Sequence, residues 1–102
     1  MFLSERLVKI IDYRYPRRAA FSALERDTGI TQAAWRHIYN GRNHPSAETL
    51  EALCKLFPEY TLWLMTGMAN EGSGQTSPDI EQLRELEQRV AGSGATVQAV
   101  RR

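Results

Sequence analysis

A long amide, a small side chain and an arginine, Gln32, Ala33 and Arg36, share one side of the segment QAAWRHIYN with His37 and Asn40. These residue types suit recognition rather than bond making. An amide pairs bidentately with adenine, a guanidinium with guanine, and a small residue lets the backbone approach a base edge. Arg17, Arg18 and Arg42 flank the segment, with His44 beyond it, and such donors suit phosphate oxygens. Chemistry of other kinds has no set of residues to carry it. His37 and His44 are not spaced as a metal pair and have no accompanying thiol or carboxylate motif. The single cysteine, Cys54, excludes an internal disulfide and a cysteine zinc cluster. There is no nucleophile elbow, phosphate loop or zincin pattern. The expectation is therefore no enzyme, no metal and no cofactor.

The distribution of charge supports an anionic partner better than its total does. The net charge of the 102 residues is only +1. Between Arg14 and His44, however, six arginines face only Glu25 and Asp27, an excess of +4, while Pro45–Asn70 sets Lys55 against Glu48, Glu51 and Glu59, a balance of −2. Arginine offers a planar fork of donors matched to phosphate and guanine. A chain of this length makes one domain. No apolar run approaches the ~18 residues of a membrane span. The start, MFLSERLVKI, puts acid and base inside the would-be apolar stretch, unlike a secretory signal, so a cytoplasmic location is expected.

Helices must position these groups, because no sustained alternation marks a strand. Leu3, Leu7, Ile10 and Ile11 form one stripe of a first helix, about 3–13, started by Ser4 or the chain end and ended by Pro16. A second helix is predicted over 17–27, with Ala20, Phe21 and Leu24 inward and Gly29 at its close. Thr31 caps a third, 32–40, with Trp35 and Ile38 inward; Tyr39 either covers the core or touches phosphate. Gly41 supplies a left-handed residue after it. Ser46 caps a fourth helix ending near Leu56, with Leu50, Leu53 and Cys54 inward. A short fifth, 61–66, is anchored by Trp63 and stopped by Gly67. Residues 71–77 (EGSGQTS) read as a flexible linker. Ser77-Pro78-Asp79 then starts a C-terminal helix, 78–91, and 92–102 reads as a mobile tail. Leu83, Leu86 and Val90 sit at a/d spacing, with Val97 and Val100 in the same register. Such a helix folds back on the core, pairs with a second copy, or frays.

The segment LERDTGITQAAWRHIYNG is thus helix, short glycine turn, helix. A link as short as Thr28–Thr31 makes the helices cross at a wide angle and leaves the second projecting, in a form that fits the major groove. At these residues the chain resembles the lambda-repressor-like (XRE-type) helix-turn-helix family of phage repressors and small bacterial regulators. The likeness covers about 3–67. It rests on Leu24, Gly29, Ile30, Gln32, Trp35, Ile38 and the run Tyr39-Asn40-Gly41-Arg42, with Phe57-Pro58-Glu59-Tyr60, Trp63-Leu64 and Thr66-Gly67 as a recurring ending.

The resemblance implies an all-α, five-helix bundle over 1–70, whose second helix lies across the DNA backbone and whose third enters the major groove. It implies base reading by Gln32, Ala33, Arg36 and Asn43. Phosphate contacts are expected from Arg17, Arg18, Thr31, Tyr39, Arg42 and His44. Two residues depart from the family pattern. Glu25 replaces a small residue of the second helix, where it could pair with Arg26 or Arg36, and Phe21 replaces a phosphate-touching glutamine. The expected function is a sequence-specific regulator of double-stranded DNA, a repressor acting as a dimer through Leu83, Leu86 and Val90. The alternative is the same bundle reused as an inhibitor, antitoxin or phage-encoded decoy that docks a host protein.

Overall fold

Leu7, Ile10 and Ile11 turn one side of the first helix, α1 (Leu3–Arg14), into the core, where none of them keeps more than a trace of exposure. In the computed structural model, which describes the backbone of residues 1–101 and the side chains of residues 1–91, five further helices follow. They are α2 (Ala20–Thr28), α3 (Gln32–Tyr39), α4 (Ala47–Leu56), α5 (Thr61–Thr66) and α6 (Pro78–Arg101), with single 3₁₀ turns at Pro58–Tyr60 and Glu71–Ser73. The described residues contain no strand, only an isolated bridge between Asn70 and Gln75. The architecture is the all-helical bundle expected.

The core joins α1 to the other four helices of the bundle. Leu24, Trp35, Ile38, Leu53, Phe57, Tyr60, Trp63 and Leu64 close on the α1 stripe. Leu50 and Cys54 of α4, both expected inside, lie only partly covered, and Cys54 is a free thiol. Beneath the α1–α5 junction lies an arginine with no sequence signal. Arg6 is buried; its Nε donates to the Leu64 carbonyl at 2.8 Å and its Nη1 to the Met1 carbonyl. It thereby satisfies a carbonyl of α5 that the short helix leaves unpaired.

Helix ends follow from local hydrogen bonding. At the start of α1 the Glu5 carboxylate accepts from the Phe2 amide at 2.7 Å, rather than Ser4 acting as the cap. Thr31 accepts from the Ala34 amide at 3.2 Å and caps α3. Ser46 and Thr49 cap α4 reciprocally: each hydroxyl accepts from the other residue's amide, at 3.1 and 2.9 Å.

Three boundaries differ from the sequence reading. First, α2 begins at Ala20, not Arg17, because Pro16–Ala19 forms a turn in which the Ala19 amide donates to the Pro16 carbonyl. Second, 71–77 is no loose linker. The Gln75 side chain accepts from the Leu62 amide at 2.8 Å and donates to the Pro58 carbonyl at 3.0 Å, the Thr76 amide donates to the Glu59 carbonyl, and Thr76 and Ser77 are buried. Third, α6 does not stop at Ala91: its backbone stays helical through Gly92 and Gly94 to Arg101. The side chains of the expected tail, 92–102, including Val97 and Val100, lie outside the described residues.

The start of α6 is capped by Ser77, whose hydroxyl accepts from the Ile80 amide at 3.1 Å, with Pro78 at the first position. Its first turns are pinned to the bundle. Lys9 pairs with Asp79 at 3.0 Å, the Tyr60 hydroxyl donates to Glu81, and Arg84 pairs with Glu71. The apolar residues face elsewhere: Leu83, Leu86 and Val90 are 56%, 45% and 67% exposed. Polar contacts and the buried Pro78, not the leucine stripe, hold α6 in place.

Candidate nucleic-acid interface

Trp35 and Ile38 are buried on the inner side of α3, and Trp35 is completely inaccessible. Since Cα–Cβ directions advance 100° per residue, anchoring these two turns Ala33, Arg36 and Asn40 outward. All three are exposed, while Gln32 at the helix start and His37 are half-buried.

The turn that presents α3 is closed by two devices. Gly29 adopts φ +77°, and its amide donates to the Glu25 carbonyl at 2.8 Å. A Cβ at Gly29 would meet no other atom within 4 Å, so the left-handed backbone alone is what demands glycine. The second device is Thr28. Its hydroxyl donates to the Leu24 carbonyl at 2.6 Å and accepts from the Ile30 amide at 3.1 Å and from the Trp35 indole at 3.2 Å. At the far end of α3, Gly41 is again left-handed, with φ +79°. The amides of Arg42 and Asn43 both donate to the His37 carbonyl, at 2.8 and 3.2 Å, which ties the following loop to the helix.

The arginines divide into two groups. Arg26 is bound to Asp27 at 2.9 Å, and Arg14 lies 3.5 Å from Glu59 and over the Phe57 ring. Asp27 also accepts from the Tyr15 hydroxyl at 3.0 Å. These bonds, that from Arg26 first, hold the Asp27 carboxyl below its ordinary range, whereas burial and the Asp27 bond push Tyr15 up to about 12. Arg17, Arg18, Arg36 and Arg42 form no ion pair among the described residues, and all are exposed. Glu25 pairs with neither Arg26 nor Arg36. Arg17 and Arg18 stand in the turn before α2, Arg36 on α3, and Arg42 in the loop after it, beside exposed Asn43 and His44. Thr31 is exposed too, its side chain already engaged as the α3 cap.

Two of the expected site residues, Tyr39 and Arg36, are engaged in contacts that the sequence did not signal. The Tyr39 hydroxyl donates to Asp12 at 2.7 Å; that bond, with burial, raises its pKa. Phe21 lies edge-on to Tyr39, with ring centroids 5.5 Å apart, and carries the Arg36 guanidinium 5.6 Å from its own centroid. These pairs join α1, α2 and α3 over long sequence separations, where periodicity gives no signal.

A helix-turn-helix whose second helix leaves its polar side bare beside unpaired arginines defines a DNA-binding bundle. The family description of the Cro/C1-type helix-turn-helix DNA-binding domain matches residues 16–58. Among solved structures, the chain is similar to Pf6r from the filamentous phage Pf6 of Pseudomonas aeruginosa PA01. The two are 33% identical, the match covers 78% of this chain and 97% of that one, and the TM-score is 0.66. No curated protein matches. The chain belongs to the Cro/C1-type helix-turn-helix DNA-binding family, a family of DNA-binding regulators and not of enzymes. Among the described residues, no group of His, Cys, Asp and Glu could hold a metal ion, and no helix is long and apolar enough to cross a membrane.

Proposed function

We propose that this regulator is a sequence-specific repressor that acts in the cytoplasm, reads the major groove of double-stranded DNA with 32–40, and binds as a dimer. Gln32, Ala33, Arg36 and Asn43 read base edges. Arg17, Arg18, Thr31, Arg42 and His44 meet phosphates, which fix register and supply affinity. Tyr39 backs the same surface from its bond to Asp12, with its phosphate contact made by the ring edge. The observation that carries the reading is the bare polar side of α3 among four arginines with no carboxylate partner among the described residues. The bare stripe Leu83, Leu86 and Val90 supports pairing of two copies through α6. A twofold dimer would set its reading helices ~34 Å apart on a near-palindromic site.

Selection of bound duplexes from a random pool tests the reading: an enriched palindrome is expected, and a pool that stays random would overturn it. One observation favours a second reading, a module that docks a host protein. Phe21 is apolar and cannot donate to a phosphate, so the surface lacks one polar contact there. Salt separates the two. Binding to random duplex should rise steeply as salt falls if phosphates are met, and stay weak at low salt if the partner is a protein.

A further inference from the structure

Arginine on an open surface samples many rotamers, and each must be given up before it can pair with a base. Arg36 is exposed, yet it is not unsupported. Its guanidinium lies 5.6 Å from the centroid of Phe21, within the range of a cation–π contact. Phe21 is itself fixed. Its ring meets Tyr39 edge-on, at 5.5 Å and 78°, and packs against the core. Tyr39 is in turn held by its 2.7 Å bond to Asp12 on α1. A relay therefore runs from Asp12 through Tyr39 and Phe21 to Arg36, across three helices.

A phenyl ring attracts a guanidinium but offers no lone pair to its N–H groups, so the donors stay free. Those donors are the ones that pair with the N7 and O6 of guanine. A carboxylate in the same place would hold Arg36 equally well, but would consume the donors. The residue type at position 21 is therefore the kind that supports the arginine without competing with its target.

We propose that Phe21 is a specificity-determining positioning residue, whose ring holds the Arg36 guanidinium ready for a guanine edge. The proposal rests on the reading of α3 as the base-contacting helix, and it changes the meaning of the departure at position 21: a phosphate contact is exchanged for preorganisation of a base contact.

The test uses the full chain and four variants: Phe21→Leu, Phe21→Tyr, Arg36→Ala, and Phe21→Leu combined with Arg36→Ala. Phe21→Leu keeps apolar bulk and removes the ring; Phe21→Tyr keeps the ring. In the free proteins, the Arg36 Nε–Hε NMR signal should shift in Phe21→Leu and hold in Phe21→Tyr, with the Arg42 signal unmoved in both. On the duplex selected by the wild-type chain, Phe21→Leu should bind about two- to fivefold more weakly, the size of a lost cation–π contact at an exposed site. Its preference for that duplex over a guanine-replaced one should shrink by the same factor. Affinity for random duplex should stay unchanged, and Arg36→Ala should cost less in the Phe21→Leu background than alone. Phe21→Tyr should keep the wild-type preference. An Arg36 signal indifferent to the ring, or a guanine preference that survives Phe21→Leu intact, would overturn the role of Phe21 while leaving the reading of α3 standing. A wild-type chain that prefers no duplex would instead overturn that reading and the proposal with it.

Discussion

The indole Nε1 of Trp35 donates to the Thr28 hydroxyl at 3.2 Å, and this bond ties α3 to α2 across the turn. Thr28 also donates to Leu24 and accepts from Ile30, so its hydroxyl uses its one hydrogen and both lone pairs. The near-isosteric Thr28→Val would strand an indole N–H and an amide together. It should cost about 1–3 kcal/mol. Thr28→Ser, which keeps the oxygen, should recover most of that. Urea denaturation checks both, with the midpoint moving and the slope unchanged. A Thr28→Val chain as stable as the wild type would show that the turn stands without this hydroxyl.

Arg17 and Arg42 touch no carboxylate among the described residues, so their removal should not disturb the bundle by more than about 0.5 kcal/mol. In DNA binding, each substitution by alanine should weaken all duplexes alike and reduce the salt slope by about one. Gln32→Ala should behave differently. It should cost about 1–3 kcal/mol on the preferred duplex and much less on a random one. Titrations over a range of salt separate the two patterns, and a salt slope unchanged by Arg17→Ala would remove Arg17 from the phosphate contacts.

Much of the bundle was legible because its signals are local. The apolar stripe of α1, the glycine after α2 and the Thr31 cap each lie within a few residues of what they specify. What failed to show depends on distant partners. The composition of 71–77 speaks of flexibility, but Gln75 reaches back to Leu62 and Pro58 and straps the segment down. Arg17 and Arg18 suit a helix, but the Ala19–Pro16 bond makes a turn there instead. Gly92 and Gly94 each cost only ~1 kcal/mol in a helix interior, too little to fix an end by themselves. At the candidate site, the outward order of Gln32, Ala33 and Arg36 follows from helical periodicity once Trp35 and Ile38 are known to be buried. The support of Arg36 by Phe21 comes from another helix and has no counterpart in the spacing.

Alkali should unfold the chain through its tyrosines. Burial, then the Asp27 bond, pushes Tyr15 from 10.0 up to about 12, and burial with the Glu81 bond raises Tyr60 as well. The folded state therefore holds these protons after the unfolded state has released them. Stability is fully present below pH 10.0 and falls as pH rises toward about 12. In Tyr15→Phe this fall should be shallower, because one of the raised tyrosines no longer titrates. Thermal melts between pH 8 and pH 11.5 check this; equal slopes in the two proteins would exclude Tyr15 as a source.

The Thr76 hydroxyl is buried and finds no hydrogen-bond partner among the described residues. An unpaired buried hydroxyl costs about 1–3 kcal/mol relative to a paired one. Thr76→Val replaces it with a methyl group of similar shape and leaves the backbone bond to Glu59 in place. The variant should be as stable as the wild type or up to about 1 kcal/mol more stable. A clear loss in chemical denaturation would show that the hydroxyl has a partner in solution.

Leu83, Leu86 and Val90 present an apolar edge that the bundle does not use, because Asp79, Glu81 and Arg84 make the contacts to it. If two copies pair through this edge, charging it should separate them without unfolding either. Leu83→Glu combined with Leu86→Glu should halve the mass in solution and preserve the helical signal. It should also abolish any dependence of Tm on protein concentration, since a dimer linked to folding melts higher as it is concentrated. On a palindromic duplex the charged variant should still occupy a half-site, but with lower affinity for the whole. An unchanged mass would rule out the leucine edge as the dimer contact, and a mass already that of a single chain before substitution would rule out the free dimer.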